Sequence, residues 1–264
     1  MTDEIRLEKA GGGAHVTFNR PEVRNALTPA MLRQLASFLA DMACDPQVRY
    51  LIFRGTGAHF AAGGDVASYG ETLSLSPTAR RELFEQRVRA NAESFVKLEA
   101  LEIPVISVVR GAVAGAGLSF VLASDFVLAS EESFLFFAQP RIGLPIDLGL
   151  SYFLPRVVGL KAARKLAMTA ARISATEARA LGIVDEILAT ESLEEGVTAL
   201  MQRFNTAALR AIGRSKRLLL QSGRSTLSEQ MEAEVSALGA CVAEPDFAEG
   251  VRAFLDKRPP SFSG

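Results

Sequence analysis

The sequence predicts an α/β fold that gives way to an all-helical C-terminal region, and three observations carry that expectation. Short β-like runs alternate with helical patterns through the first two-thirds of the chain. One of those runs, Pro104 to Val109, is unbroken in its apolar character, as a strand buried on both faces must be. After Asp147 the texture changes, and helical periodicity dominates from about Leu148.

Each element follows from local chemistry. Glu4 to Lys9 and His15 to Asn19 are β-like and flank Gly11-Gly12-Gly13, which reads as a hairpin turn. That glycine cluster is no phosphate loop, because no Gly-Lys-Ser/Thr and no helix follow it. Thr28-Pro29 is an N-cap with proline at the first helical position; Leu32, Leu35, Ala36, Leu39 and Met42 then repeat at helical spacing, predicting a helix over 29–43. Val48 to Arg54 is strand-like and is broken by Gly55-Thr56-Gly57. Pro77 opens a helix reaching about Ala100, with Leu83, Phe84, Arg87 and Val88 in its pattern. Gly111 to Ser124 reads as loop into helix, and Phe126 to Ala129 as a strand. Ser174-Ala175-Thr176-Glu177 has the form of a capping box before a short helix ending at Gly182, and Ile183 to Leu188 is a last strand. From Ser192 to Leu255 nearly everything is amphipathic helix.

Composition narrows the function. Of 264 residues, 48% are hydrophobic and 22% charged, an ordinary globular balance with ample apolar material for a core. Lys and Arg number 29 against 30 Asp and Glu, interspersed rather than blocked, so no basic face for nucleic acid is expected. The longest apolar stretch, Ala112 to Ala123, is too short to span a bilayer, and Met1-Thr2-Asp3-Glu4 does not resemble a targeting segment. Cys44 and Cys241 lack partners at ligand spacing and are expected to be buried, reduced core thiols in a cytoplasmic protein. With His15 and His59 also isolated, no metal site is expected.

The candidate chemistry lies in two glycine-rich segments that follow strand-like runs. They are Ala61-Ala62-Gly63-Gly64-Asp65, and Gly111 through Gly117. Small residues there let a ligand approach the main chain, whose N–H groups can point at an oxygen; the second segment also opens a helix, whose free amides favour developing negative charge. Tight helix-strand packing without any ligand would select the same residues.

Ordered motifs then run the length of the chain. They include Asn19-Arg20-Pro21-Glu22 with Asn25-Ala26-Leu27, Phe60 to Asp65, Ile103-Pro104-Val105-Ile106, Gly115-Ala116-Gly117, Asp125, Arg141-Ile142-Gly143-Leu144, Leu154-Pro155-Arg156, Ile173 to Ala178, Leu181-Gly182-Ile183-Val184 and Phe254 to Arg258. On these the chain resembles the enoyl-CoA hydratase/isomerase, or crotonase, superfamily. The resemblance implies a crotonase-type spiral of ββα units over residues 1–190, which would hold the acyl-CoA site. It also implies a helical C-terminal trimerisation region over 191–264, giving a homotrimer or a dimer of trimers. It implies oxyanion-hole N–H groups at Gly64 and Ala116, and CoA-binding positions at Arg24, Ala26, Ala62, Asp65, Phe254 and Lys257. Coenzyme A would come as part of the substrate, with no separate cofactor.

The departures from the family pattern concern the acid–base groups. Family hydratases carry one glutamate shortly after the Gly-rich segment and another in a Gln-Pro-Glu motif; here Ser119 stands at the first place, and Gln139-Pro140-Arg141 puts Arg141 at the second. A different carboxylate, Asp147, lies in Gly143-Leu144-Pro145-Ile146-Asp147-Leu148-Gly149, and resembles the aspartate of the isomerase-like branch. Aspartate is also a favoured helix N-cap, so a purely structural role stays open at this stage. Ser119 either hydrogen-bonds substrate or fills a helix face, and Arg141 either steers an anionic group or pairs at the surface. Phe134, Phe136 and Phe137 suggest an acyl pocket suited to an aromatic or alicyclic group, with Phe137, Ser119 and Arg141 as its expected lining. The leading expectation is an acyl-CoA isomerase with Asp147 as the catalytic acid–base group. The alternatives are a hydratase or acyl-CoA hydrolase of the same fold, or a catalytically inactive CoA-ligand-binding protein.

Overall fold

The protein is described here from a computed structural model covering residues 3–263. A tight hairpin starts it: β1 (Ile5–Ala10) pairs antiparallel with β2 (Gly13–Phe18), closed by Gly11 and Gly12 at φ 60° and 81°. Two successive positive φ angles match the twist of the flanking strands and favour glycine. Helix α1 (Pro29–Ala43) follows, with the Thr28 hydroxyl accepting from the Met31 N–H. Its apolar stripe from Met31 to Met42 is buried as its spacing requires.

The chain then alternates. It passes through β3 (Leu51–Gly55), the short α2 (Val66–Gly70), the long α3 (Pro77–Glu99), β4 (Val105–Val109), β5 (Ala112–Ala114), α4 (Ala116–Ala123), β6 (Phe126–Ser130) and β7 (Phe134–Phe136). After α5 (Leu150–Met168) come β8 (Arg172–Ser174), α6 (Ala175–Ala180) and β9 (Glu186–Leu188). The capping box at Ser174 and Glu177 forms as expected. Six strands make one sheet in the order β1-β2-β3-β4-β6-β9, parallel apart from the opening hairpin, and β5, β7 and β8 make a second. The segment expected as loop into helix at 111–124 therefore begins with a strand, β5, which pairs with β7.

Period-two alternation sorts the large sheet into two cores. Leu51, Phe53, Val105 and Val109 face the main core, while Ile52, Ile106, Val108 and Leu128 face the opposite side. The helices α7 (Leu193–Asn205), α8 (Leu209–Ser222), α9 (Leu227–Val242) and α10 (Pro245–Leu255) complete the chain. The first of them closes the second core with Leu193, Val197 and Phe204, so the segment past residue 190 begins by packing back on the sheet. Asp125 tethers α8 as well: its Oδ2 accepts from the Val105 N–H at 2.8 Å and from Lys216 Nζ at 2.6 Å.

Asn25 fixes the loop before α1. It is fully buried at φ 57°, donates from Nδ2 to the carbonyls of Thr56 and His59, and accepts from the Arg20 N–H. Asn25→Ala strips three backbone groups of a partner at once, and we expect it to lower unfolding free energy by about 3 kcal/mol in urea titration. An unchanged midpoint would show that the loop is held by other contacts.

The cysteines differ from expectation. Cys44 is exposed and Cys241 only half-buried; both are free thiols, not core residues. Cys44 lies one position past the end of α1, where the helical stripe that buries Met42 no longer applies. Among the described residues, no helix is long and apolar enough to cross a membrane, and no three His, Cys, Asp or Glu side chains cluster as metal ligands.

Candidate active site

The two glycine-rich segments meet. Ala61 and Val113 form a parallel bridge, with the Ala114 N–H donating to the Ala61 carbonyl at 2.9 Å, and Gly64 bridges Leu27 on its other side. The approach is close enough to demand glycine. A Cβ on Gly63, at φ 93°, would lie 3.0 Å from the Ala114 carbonyl oxygen and 3.1 Å from the Gly115 Cα. Gly115 itself, at φ 49°, turns the chain into α4, making Ala116 the first residue of a helix that is buried nearly throughout. Among the described residues, neither the Gly64 N–H nor the Ala116 N–H donates to another group, and both residues line one cavity. Two free amides on one wall, the second backed by a helix N-terminus, can bind an oxygen that gains negative charge.

That cavity measures about 800 Å³, within the range of small-molecule sites. Its walls come from Leu27 and Leu32 near α1, from Phe84 and Val88 on α3, and from Phe136, Ile142 and Leu144 beyond β7. Three carboxylates line it: Asp65, Glu85 and Asp147. Asp65 is paired with Arg20 at 3.0 Å, and Glu85 is exposed and shared between Arg81 and Arg89. Among the described residues, Asp147 has no ion-pair partner.

Its position is set by an unusual backbone. The two residues after it, Leu148 and Gly149, both have positive φ, at 47° and 86°, before α5 starts. The Asp147 side chain caps nothing: the N-cap of α5 is Gly149, and Asp147 contributes only its carbonyl, to the Leu150 N–H. The structural alternative of a helix cap is thus set aside. Burial pushes the Asp147 pKa up from the ordinary value of 3.8, while the nearby Gln139 amide and Asp147's own N–H pull the other way.

A raised carboxylate pKa carries a stability consequence. The folded state binds the Asp147 proton more tightly than the unfolded chain, so this contribution is full below 3.8 and is lost as pH rises through the raised value. Asp147→Asn should therefore raise the thermal midpoint at neutral pH, with an advantage over wild type that shrinks on acidification. A lower midpoint at neutral pH would contradict this reading of the site.

The remaining expected residues divide. Ala62 and Asp65 line the cavity, as does Arg141, which is exposed and stacks over Phe136 at 5.5 Å. Arg24 is exposed and Ala26 buried, both next to the cavity wall but not part of it. Ser119 and Phe137 are fully buried and lie outside the lining, contrary to expectation. Ser119 lies inside a helix that is buried from Ala116 to Leu122, and its Oγ has no hydrogen-bond partner among the described residues. Phe137 has left β7, its N–H bonding the Ala171 carbonyl, and packs into the main core; Phe136 takes the cavity wall instead. Phe254 and Lys257 are exposed at the far C-terminal helices, away from this cavity within one chain. Sequence reasoning passed over Tyr69, on α2, whose ring packs edge-on against Phe84 and lines the same cavity. The only sequence signal for it was proximity to Gly64.

A profile of the enoyl-CoA hydratase/isomerase family matches residues 8–264. The chain belongs to that family. It is 33% identical over 263 residues to a crotonyl-CoA hydratase of Syntrophomonas wolfei, with 98% of each chain covered. It is 31% identical over 265 residues to the 1,2-epoxyphenylacetyl-CoA isomerase of Escherichia coli K12, covering all of both chains. Among solved structures, an enoyl-CoA hydratase from Polaromonas sp. JS666 superposes with a TM-score of 0.90 at 29% identity, over 97% of this chain and 98% of that one. The α/β fold is thus the crotonase fold, and the activity is of the enoyl-CoA hydratase/isomerase class. Named hydratases and isomerases align at similar identity, so the choice between them rests on the side chains in the cavity.

Proposed function

We propose that this protein is an acyl-CoA isomerase that shifts a double bond or rearranges a ring through a thioester enolate. The observation that carries the reading is that Asp147 is the sole cavity-lining carboxylate, among the described residues, left without an ion-pair partner. Water addition calls for two acid–base groups, and the two places where family hydratases carry glutamate hold Ser119 and Arg141. A proton shift needs one. The thioester oxygen sits between the N–H groups of Gly64 and Ala116, Asp147 removes a proton from one carbon as base, and the same carboxylic acid returns it to another. Burial serves this cycle by bringing the carboxyl pKa nearer neutrality and by keeping water from quenching the enolate.

The reading needs no metal and no cofactor beyond the coenzyme A of the substrate. Ala62 and Asp65 at the cavity rim support contacts to the CoA moiety, with Arg24 and Ala26 beside them. A homotrimer is supported by α9, which buries nothing in the single chain and exposes Met231, Val235, Leu238 and Val242 as one apolar stripe. It is in such an assembly that Phe254 and Lys257 would approach a neighbour's CoA; a sedimentation mass of one chain would contradict it. The two free thiols fit a reducing, cytoplasmic compartment.

The deciding experiment offers a panel of enoyl-CoAs in water enriched with heavy oxygen and deuterium. Isomerase action yields rearranged product without heavy oxygen, and its deuterium content reads how far the proton on Asp147 exchanges with solvent before it is returned. Heavy oxygen in the acyl product would establish the hydratase or hydrolase reading, and binding with the acyl group recovered unchanged and without deuterium would establish an inactive ligand-binding protein.

A further inference from the structure

His59 takes no part in the proton shift, yet it is built into the backbone that carries the two free amides. The two glycine-rich segments pair as a regular parallel ladder only from Ala61 onward. There the Ala61 N–H donates to the Ala112 carbonyl at 3.3 Å, and the Ala114 N–H donates to the Ala61 carbonyl at 2.9 Å. A regular parallel ladder would send the preceding amide, the N–H of Ala112, to the carbonyl of His59. That carbonyl is turned to Asn25 instead, accepting from its Nδ2 at 2.7 Å. The Arg110 carbonyl accepts from the Phe60 N–H at 2.9 Å, one residue later than the ladder would place it. The imidazole of His59 fills the gap: its Nδ1 accepts from the Ala112 N–H at 3.1 Å.

The side chain thus replaces its own carbonyl as a rung. A backbone N–H is always a donor, so Nδ1 carries no proton and the ring proton sits on Nε2. The ring is half-buried and seated against Gly111, where a Cβ would lie 2.5 Å from Nδ1 at a residue whose φ is 50°. Ala112 is itself buried, so removing the acceptor leaves its N–H unsatisfied unless the segment shifts to find another partner. Little chain separates that rung from the chemistry. Val113 bridges Ala61, and three residues past each member of that pair stand Ala116 and Gly64. A slip at the His59 rung is therefore passed to the spacing between the two amides.

We propose that His59 is a positioning residue of the oxyanion hole: its Nδ1 sets the register between the segment leading to Gly64 and the segment leading to Ala116, so that both amides reach one oxygen. It does not line the cavity and acts only through the main chain. The inference rests on the oxyanion pair proposed above and adds the residue that aligns it.

Substitutions at this position separate the role from plain stabilisation. His59→Leu removes the acceptor, His59→Asn puts Oδ1 where Nδ1 stood, and His59→Gln carries its acceptor one bond farther out, at the reach of Nε2. In each full-length protein, the infrared stretch of bound butyryl-CoA labelled with heavy carbon at the thioester carbonyl reads the two amides without turnover, because hydrogen bonds to a carbonyl oxygen lower its stretching frequency. We expect a downshift in the wild type and in His59→Asn that is largely lost in His59→Leu and His59→Gln. On an acyl-CoA that the wild type isomerises, the last two should lose about tenfold in kcat with KM changed about twofold or less, since misplaced catalytic groups cost turnover more than binding. If His59→Leu does not fold, the contrast between His59→Asn and His59→Gln carries the test. A folded His59→Leu or His59→Gln that keeps the wild-type downshift and kcat, or a His59→Asn that loses both, would overturn the inference and leave the proposed function standing. No downshift in the wild type, or no binding, would take away the oxyanion pair and the inference with it.

Discussion

Asp147→Asn is expected to lower kcat on every acyl-CoA isomerised by the wild type by about a thousandfold, the usual scale for removing a general acid–base group. KM should change little, because asparagine keeps the shape and the two positive-φ residues behind it keep the position. The other two carboxylates that line the cavity among the described residues are already paired: Asp65 with Arg20, and the exposed Glu85 with Arg81 and Arg89. The same assignment fixes the sign of the pH profile. The base form is the active one, so kcat/KM of the wild type should fall as pH drops through the raised Asp147 pKa, at a pH above the ordinary 3.8 of an aspartate. A variant with full turnover, or a profile flat down to that ordinary value, would remove Asp147 from the chemistry.

The second large effect belongs to the main chain. Gly63→Ala places a Cβ against the Ala114 carbonyl and the Gly115 Cα, at a residue whose φ of 93° already disfavours a side chain. Both contacts are backbone atoms, which a rotamer change cannot relieve. The two segments must separate, and with them the amides of Gly64 and Ala116. Losing the alignment of one oxyanion donor costs about 3 kcal/mol of transition-state binding, so kcat should fall by about a hundredfold or more. Circular dichroism and thermal melting would separate that loss from unfolding. Turnover near the wild-type value in a folded variant would mean that the amides do not act as a pair.

Much of this architecture was legible in the residues because local chemistry and tertiary packing agree there. Thr28 and Ser174 cap the helices their neighbours predict, and the unbroken apolar run at β4 is buried along its whole length. The glycine segments were legible too, since close backbone approach leaves few alternatives to glycine. What stayed hidden depends on contacts between distant parts of the chain. Strand β5 has three residues, and only its pairing with β7 makes it a strand. Phe136 and Phe137 are equivalent as text; the end of β7 sends one to the cavity and the other to the core. Ser119 sits one helical turn from Ala116, yet α4 is enclosed on all sides and its hydroxyl meets neither cavity nor partner. Tyr69 lies in a five-residue helix with no periodic pattern, and it joins the cavity only because the fold brings its hydroxyl against Gly64.

The proposed chemistry needs one arrangement: a carbonyl oxygen shared by two main-chain amides, with a single carboxylate over the adjacent carbons. A crystal structure of the Asp147→Asn protein soaked with an acyl-CoA it can bind but not turn over reads that arrangement directly. The predicted result is a thioester oxygen about 3 Å from both the Gly64 and Ala116 nitrogens, with the residue 147 side chain alongside the first carbons of the acyl group. A thioester oxygen bound to water or to a side chain instead, with those nitrogens unengaged, would contradict it.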